Sequence, residues 1–347
     1  MRWNNIFING AAAWLGRKED VQEAVSDGRY DAEEYKENDY SFVRVAGDER
    51  PADMAVEAAA LALRRGGADA GTVDLVMHAT SGFQGLDHWT AGPYIQARTV
   101  GGHAPAFEVK QACNGGLMAL DLAAAYINAR EAPSAALITT GDKFTGPGYE
   151  RYSADKNIVL ADGATAVVIS HTPGVARVLS TVMIADTVYE GLSHGHTWAQ
   201  AAGSAGPVDL RGRKKQHLIS SGDDIMDIVR TLTVRQQESM DQALADADTT
   251  VAEIARFVFP NVGRIVQDWE LRKSVGIEES RTTWEWGRQI GHIAAGDQFA
   301  GLIHLIESGA VRPGDKVALA GVGTGYNFGW AIVEILQEAD WEQSTAE

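Results

Sequence analysis

The chain is predicted to be an α/β protein with buried sheets, on three observations. Short apolar strands alternate with helical stretches, the second half repeats the theme of the first, and the composition is that of a globular protein, 45% apolar and 22% charged. In order, residues 54–65 (MAVEAAALALRR) read as a helix and 74–80 (DLVMHAT) as a short buried strand. Residues 106–112 (AFEVKQA) read as a strand and 114–130 (NGGLMALDLAAAYINAR) as a long apolar helix. Residues 134–140 (SAALITT) and 164–170 (ATAVVIS) are strands. The second half supplies a helix over 224–245, a strand over 255–259 (ARFVF), a helix over 297–308, and strands over 316–320 (KVALA) and 329–335. Each half ends with a glycine-containing turn into an apolar strand. The joint is expected near Thr172, Pro173 and Gly174, dividing the chain into 1–173 and 174–347. The stretch 191–215, with His194, His196 and the basic run Arg211, Arg213, Lys214 and Lys215, reads as a long surface excursion that covers a site.

At 347 residues the chain exceeds the usual single-core size, so one large domain or two fused halves are expected. Thirty basic against 47 acidic residues give a net charge of −17. That balance disfavours sequence-independent nucleic-acid binding and anionic membrane surfaces, both of which need basic surface. With Cys113 the only cysteine, neither an intramolecular disulfide nor a cysteine-cluster metal site is possible. The uncharged stretch 317–333 carries four glycines and reads as two buried strands around a turn rather than a membrane span. The first residues lack the sustained apolar stretch of a secretion signal, and a cytoplasmic protein is expected.

Three places hold residues suited to chemistry. Cys113 lies at a strand-to-helix junction, where a helix N-terminus favours thiolate, and Gly115 and Gly116 permit close approach to the first turn. A nucleophile and a buried structural cysteine both fit that pattern. His292 lies among glycine and alanine just ahead of a helix, which suits a ring entering a crowded site and equally a core histidine. Gly321, Gly323 and Gly325 form a tight turn whose N–H groups can face an anion, but the spacing of a dinucleotide loop is not met.

Taken in order, VKQACNGGLMALDLAAAYI, DGATAVVI and GHIAAGDQFAGLIHLIESGAVRPGDKVALAGVGTGYNFGWAIVEI resemble β-ketoacyl-ACP synthase III and its relatives over most of residues 50–340. The resemblance implies the thiolase fold, a duplicated five-layer αβαβα sandwich, and a homodimer. Condensing members of that family use Cys, His and Asn. At the family's His motif this chain has Phe259, Pro260 and Asn261, and at the family's Asn it has His292. Decarboxylative condensation needs two donors converging on one thioester oxygen, so it is expected to be poor here. A cysteine with one imidazole suffices for acyl transfer.

The altered set resembles the synthase-III-like acyltransferases of bacterial natural-product pathways, which make esters or amides. Their pattern puts Asn327 behind His292 as third member of the triad, a Cys-His-Asn set in which the amide orients the ring without charge. The oxyanion is assigned to backbone N–H groups of Cys113, Thr324 and Gly325. The family's Thr-Gly-Ile-x-x-Arg motif beside the coenzyme A channel is degraded here to Ser41–Gly47, which favours acyl carrier protein over coenzyme A as donor. Arg264, Arg272 and Lys273 stand where the family docks its carrier. No permanently bound cofactor is expected. The acceptor is a small-molecule hydroxyl or amine on a sugar, aromatic or polyketide scaffold. Phe83, Trp89 and Trp198 suit such an acceptor, although core packing is the ordinary work of such side chains. The rival readings are a decarboxylating β-ketoacyl synthase and a non-catalytic partner subunit.

Overall fold

A computed structural model of the chain describes residues 1–131, 133–196 and 206–341. Its strands are β1 (Phe7–Leu15), β2 (Arg17–Asp20), β3 (Phe42–Val45), β4 (Val73–Ala79), β5 (Ala106–Val109), β6 (Ala135–Asp142), β7 (Gly163–Ser170), β8 (Ala176–Ala185), β9 (Ile254–Val258), β10 (Lys316–Gly323) and β11 (Asn327–Ile335). β2 and β3 pair as a separate ribbon. The other nine form one sheet in the order β5-β4-β6-β7-β1-β8-β11-β10-β9.

That order contains a duplication. The seam is β1 against β8, joined only through Phe7–Arg177 and Ile8–Ala176. Reading outward from the seam, the first half runs first, fifth, fourth, second, third strand, as β1-β7-β6-β4-β5. The second half runs first, fifth, fourth, second, as β8-β11-β10-β9. A lone parallel bridge from Phe257 to Thr282 stands where the third strand would lie. The directions match too, with the fifth strand antiparallel to both its neighbours in each half.

Helix composition sorts the layers. The helix Pro51–Gly66 starts with Pro at its first turn and ends on Gly67 at φ 57, and it lays an alanine face on β1, β6 and β7. The helix Ile225–Asp246 buries one stripe, including Met240, Ala243 and Leu244, against β8 and β11. The helices Gly115–Asn128 and Asp297–Glu307 are apolar nearly all round and touch strands of both halves. They form the central layer, giving five layers in all. β6 and β7 are buried along their whole length, as strands covered on both faces must be.

Most expected elements fall where the patterns put them, within a residue or two at the ends. The strand expected over 106–112 stops at Val109 because the chain must turn there toward Cys113. β1, whose sequence FINGAAAWL is poor in strand formers, was not expected. Its pairing with β7 along its length makes it a strand. β8 likewise went unread. The supposed surface excursion is largely ordered where it is described. It holds a helix Leu210–Ser221 tied down by Leu210 N–H to the Ala154 carbonyl and by a bidentate Arg211–Glu34 pair. The expected strand pair around a glycine turn at 317–333 is the β10–β11 hairpin. No helix among the described residues is long and apolar enough to cross a membrane.

Candidate active site

The two central helices begin in the same way. Each is preceded by one turn of 3-10 helix, Ala112–Asn114 and Ala294–Gly296, and each turn opens on an alanine in the left-handed region, Ala112 at φ 46 and Ala294 at φ 52. That region costs a side-chain-bearing residue on the order of 1–3 kcal/mol. Packing between the halves holds the strain: a Cβ on Gly115 would touch Ala295 Cβ at 3.3 Å, and one on Gly116 would meet the Ala295 carbonyl. The strained turn places Cys113 at the start of one central helix. Its side chain is half-buried against Phe144, Tyr149, Leu160 and Ala294.

His292 precedes the matching turn of the second half. A bridge to the 159–161 segment fixes its backbone, with His292 N–H donating to Val159 and Ala161 N–H donating to His292, each at 2.9 Å. Gly291 at φ 79 allows this approach, since a Cβ there would come within 2.9 Å of Ala161 Cβ. The imidazole is 2% exposed. Its Nε2 lies 2.8 Å from Cys113 Sγ and its Nδ1 lies 2.5 Å from Asp297 Oδ2.

Asp297 opens the second central helix and is fully buried. Oδ2 also accepts from Asn261 N–H (2.7 Å), and Oδ1 accepts from Ile293 N–H (2.8 Å) and Asn261 Nδ2 (3.5 Å). The helix N-terminus adds a favourable field for the carboxylate. Burial is the largest influence on His292 and acts to lower its pKa. The negative charges of Cys113 and Asp297, with the hydrogen bonds to both, outweigh it and hold the imidazole well above its ordinary 6.5.

The place behind the ring assigned to Asn327 therefore belongs to Asp297. Asn327 begins β11, paired with Gly323 and Ala185, and the two ring nitrogens of His292 are taken by Cys113 and Asp297 instead. Asp297 was visible in the sequence, five residues after His292, but an acid in the first turn of a helix is common and drew no functional reading. Asn261 was missed as well. It lies in the stretch that replaces the family's His motif, and its amide and side chain hold Asp297 and the Gly291 carbonyl. Phe259 of the same stretch is buried against Trp330, so no donor replaces the family's histidine there.

Of the three expected oxyanion donors, the Gly325 N–H is engaged within the protein, donating to Ser193 Oγ at 3.0 Å. The Thr324 carbonyl accepts from Gln111 Nε2 at 3.5 Å. The glycines of this hairpin have a packing reason. A Cβ on Gly321 or Gly329 would run into the Asn114 amide, so their absence lets β10 and β11 rest on the Cys113 turn.

The basic trio separates. Arg264 is neutralised by a bidentate pair with Glu279 at 2.5 and 2.8 Å. Arg272 points inward, 3.5 Å from the Phe259 ring centroid. Of the three only Lys273 is exposed, Arg264 and Arg272 being half-buried. Of the aromatic candidates, Phe83 is exposed, Trp89 packs edge-on against Tyr94, and Trp198 lies outside the described residues. Among the described residues no cluster could hold a metal ion.

A duplicated five-layer sandwich with a cysteine on one central helix and its histidine partner beside the other is the thiolase fold. Models of 3-oxoacyl-[acyl-carrier-protein] synthase III match residues 107–187, and those of its C-terminal region match 244–335. The chain belongs to the 3-oxoacyl-[acyl-carrier-protein] synthase III family. It is 29% identical over 300 residues to the β-ketoacyl-[acyl-carrier-protein] synthase III of Thermosynechococcus vestitus, covering 83% of this chain and 84% of that one. The Rhodospirillum rubrum enzyme of the same name is 27% identical over 303 residues, 84% and 86% of the two chains. Among solved structures, ChlB3, described as an acyltransferase, superposes with a TM-score of 0.91 at 32% identity over 98% of this chain and all of that one. The Aquifex aeolicus 3-oxoacyl-[acyl-carrier-protein] synthase III shares the fold, with a TM-score of 0.76 at 21% identity over 95% and 99%.

Proposed function

We propose that the protein is a cysteine-dependent acyltransferase that moves an acyl group from a carrier-protein thioester to a hydroxyl or amine of a small natural-product acceptor. The observation that carries this reading is His292, held between Cys113 and Asp297 while Phe259 fills the family's histidine position. The likeness to ChlB3 supports it.

The chemistry runs in two halves. Cys113 sulfur attacks the donor carbonyl and the carrier thiolate leaves, taking the proton carried by His292. The new thioester is neutral, so the charge at Cys113 that raised the imidazole's pKa is gone and burial acts more freely. Acylation thus converts His292 from acid to base. The neutral ring takes the acceptor's proton as its oxygen or nitrogen attacks the thioester. Collapse of the tetrahedral intermediate expels the Cys113 thiolate beside a reprotonated His292. Asp297 holds Nδ1–H throughout and stabilises the imidazolium, which the neutral amide of Asn327 could not do. Backbone N–H groups at Cys113 and Thr324 are assigned to the oxyanion. Gly325 joins them if the donor displaces the Ser193 hydroxyl. No bound cofactor is needed; the donor is an acyl carrier protein or coenzyme A thioester.

A second reading, decarboxylative condensation, is favoured by the names of the curated relatives. Malonyl-carrier protein separates the two. The acyltransferase releases no carbon dioxide above the uncatalysed background, because a single imidazole cannot supply both donors to the enolate oxygen. Release matched to a β-ketoacyl product would establish condensation instead.

We also infer a homodimer. β5 is the edge of the nine-stranded sheet, and Phe107 on it is 42% exposed. An uncovered edge strand with an apolar side chain pairs readily with its own copy. Sedimentation is expected to give twice the chain mass, and Phe107→Lys to shift the protein toward monomer; a monomeric wild type would refute the inference.

A further inference from the structure

The helix Ile225–Asp246 and the 265–277 segment stand apart and leave an open cavity of about 500 Å³ between them. Its floor is Phe259, Met240 and Trp330, and its walls include Leu232, Val266 and Leu271. Neither Cys113, His292 nor Asp297 lines it. The volume and the apolar lining are those of a small-molecule site.

One cation faces this space. The Arg272 guanidinium stacks on Phe259 and lies 5.2 Å from the Trp269 ring centroid. Nη1 donates to Gln267 Oε1 at 2.5 Å, and Nε and Nη2 have no protein partner among the described residues. No carboxylate among those residues stands within ion-pair distance. Asp268, the cavity's acid, caps its own helix at Leu271 N–H. Burial pulls the guanidinium down to about 9, with Asp268 opposing, so Arg272 remains cationic at neutral pH. A half-buried charge with two donors unused by the protein is open to a ligand that supplies the counter-charge.

We propose that this cavity binds a small carboxylic acid with an apolar body, its carboxylate paired to Arg272 and its body laid over Met240, Leu232 and Trp330. A planar guanidinium fork fits a carboxylate bidentately. The net charge of −17 repels anions at large, so any selectivity for them must come from this local cation.

Calorimetric titration of the whole protein with octanoate, octanamide and octylamine tests it. Octanoate is expected to bind saturably and more tightly than octanamide, and octylamine not at all. Arg272→Met keeps the stacked stem without the charge. It should weaken octanoate roughly 10- to 100-fold, the weight of a charged hydrogen-bonded pair, and leave octanamide unchanged. Val229→Trp, at the exposed mouth, should weaken both. Octanoate binding that survives both substitutions would locate the acid elsewhere, for instance in the acyl channel at Cys113, and overturn the proposal. Absence of saturable binding, equal affinity for octanamide, or preference for octylamine would overturn it too.

Discussion

The Cys113→Ala protein is expected to fold as the wild type does, to form no acyl-enzyme, and to lose transfer by at least about 10⁴-fold. The thiol is half-buried in a small cluster with Phe144, Leu160 and Ala294, and alanine there removes one sulfur without adding bulk. The strain at this turn belongs to Ala112, whose φ of 46 comes from packing between the halves rather than from the thiol. Intact-protein mass spectrometry after incubation with acyl-carrier protein reads the acyl-enzyme directly. A modified wild type and an unmodified variant are the expected pair. Near-wild-type turnover by the variant would remove Cys113 from the reaction. Absence of any adduct on the wild type, with every donor tried, would favour a non-catalytic partner subunit.

His292→Asn gives the second large effect, and a different one. Asparagine restores the family residue but cannot act as a base. Acylation should persist in part, while transfer falls by roughly 10²–10⁴-fold, so the acyl-enzyme accumulates. Asp297→Asn should lower transfer by up to about 10⁴-fold through loss of the ring's orientation and charge. It places an amide donor among Asn261 N–H, Ile293 N–H and the imidazole, all of which already donate. Asn327→Ala, by contrast, should leave transfer within about twofold. The sign of the pH dependence follows from His292. A group whose pKa is raised in the folded protein keeps its proton as pH climbs past 6.5, so single-turnover acylation should hold through neutral pH. It should fail only as pH rises through the elevated value. Acylation that collapses near pH 6.5, or a transfer step untouched by His292→Asn, would show that the base lies elsewhere.

The sequence by itself determined the fold class, and it pointed to the duplication and to Cys113 and His292 as candidate site residues. Long helices apolar nearly all round, at 114–130 and 297–308, have to be covered on all sides, and uncharged strands such as 134–140 and 164–170 have to be covered on both faces. Cys113 and His292 were legible because each stands in a glycine- and alanine-rich turn ahead of one of those helices, at matching points of the two halves. The rest was decided in three dimensions. β1 is a strand because β7 pairs with it, not because FINGAAAWL prefers to be one. Arg272 looks like surface charge beside Lys273, yet it lies over Phe259, since the direction of a side chain on a short helix is set by what packs beneath it. The residue behind the His292 ring is the clearest case. Asn327 and Asp297 are both polar residues near glycine turns, and local pattern gives no ground to choose. Only the folded chain brings Asn261, Ile293 and His292 to converge on one buried carboxylate, and a buried charge is tolerable only where such donors meet it.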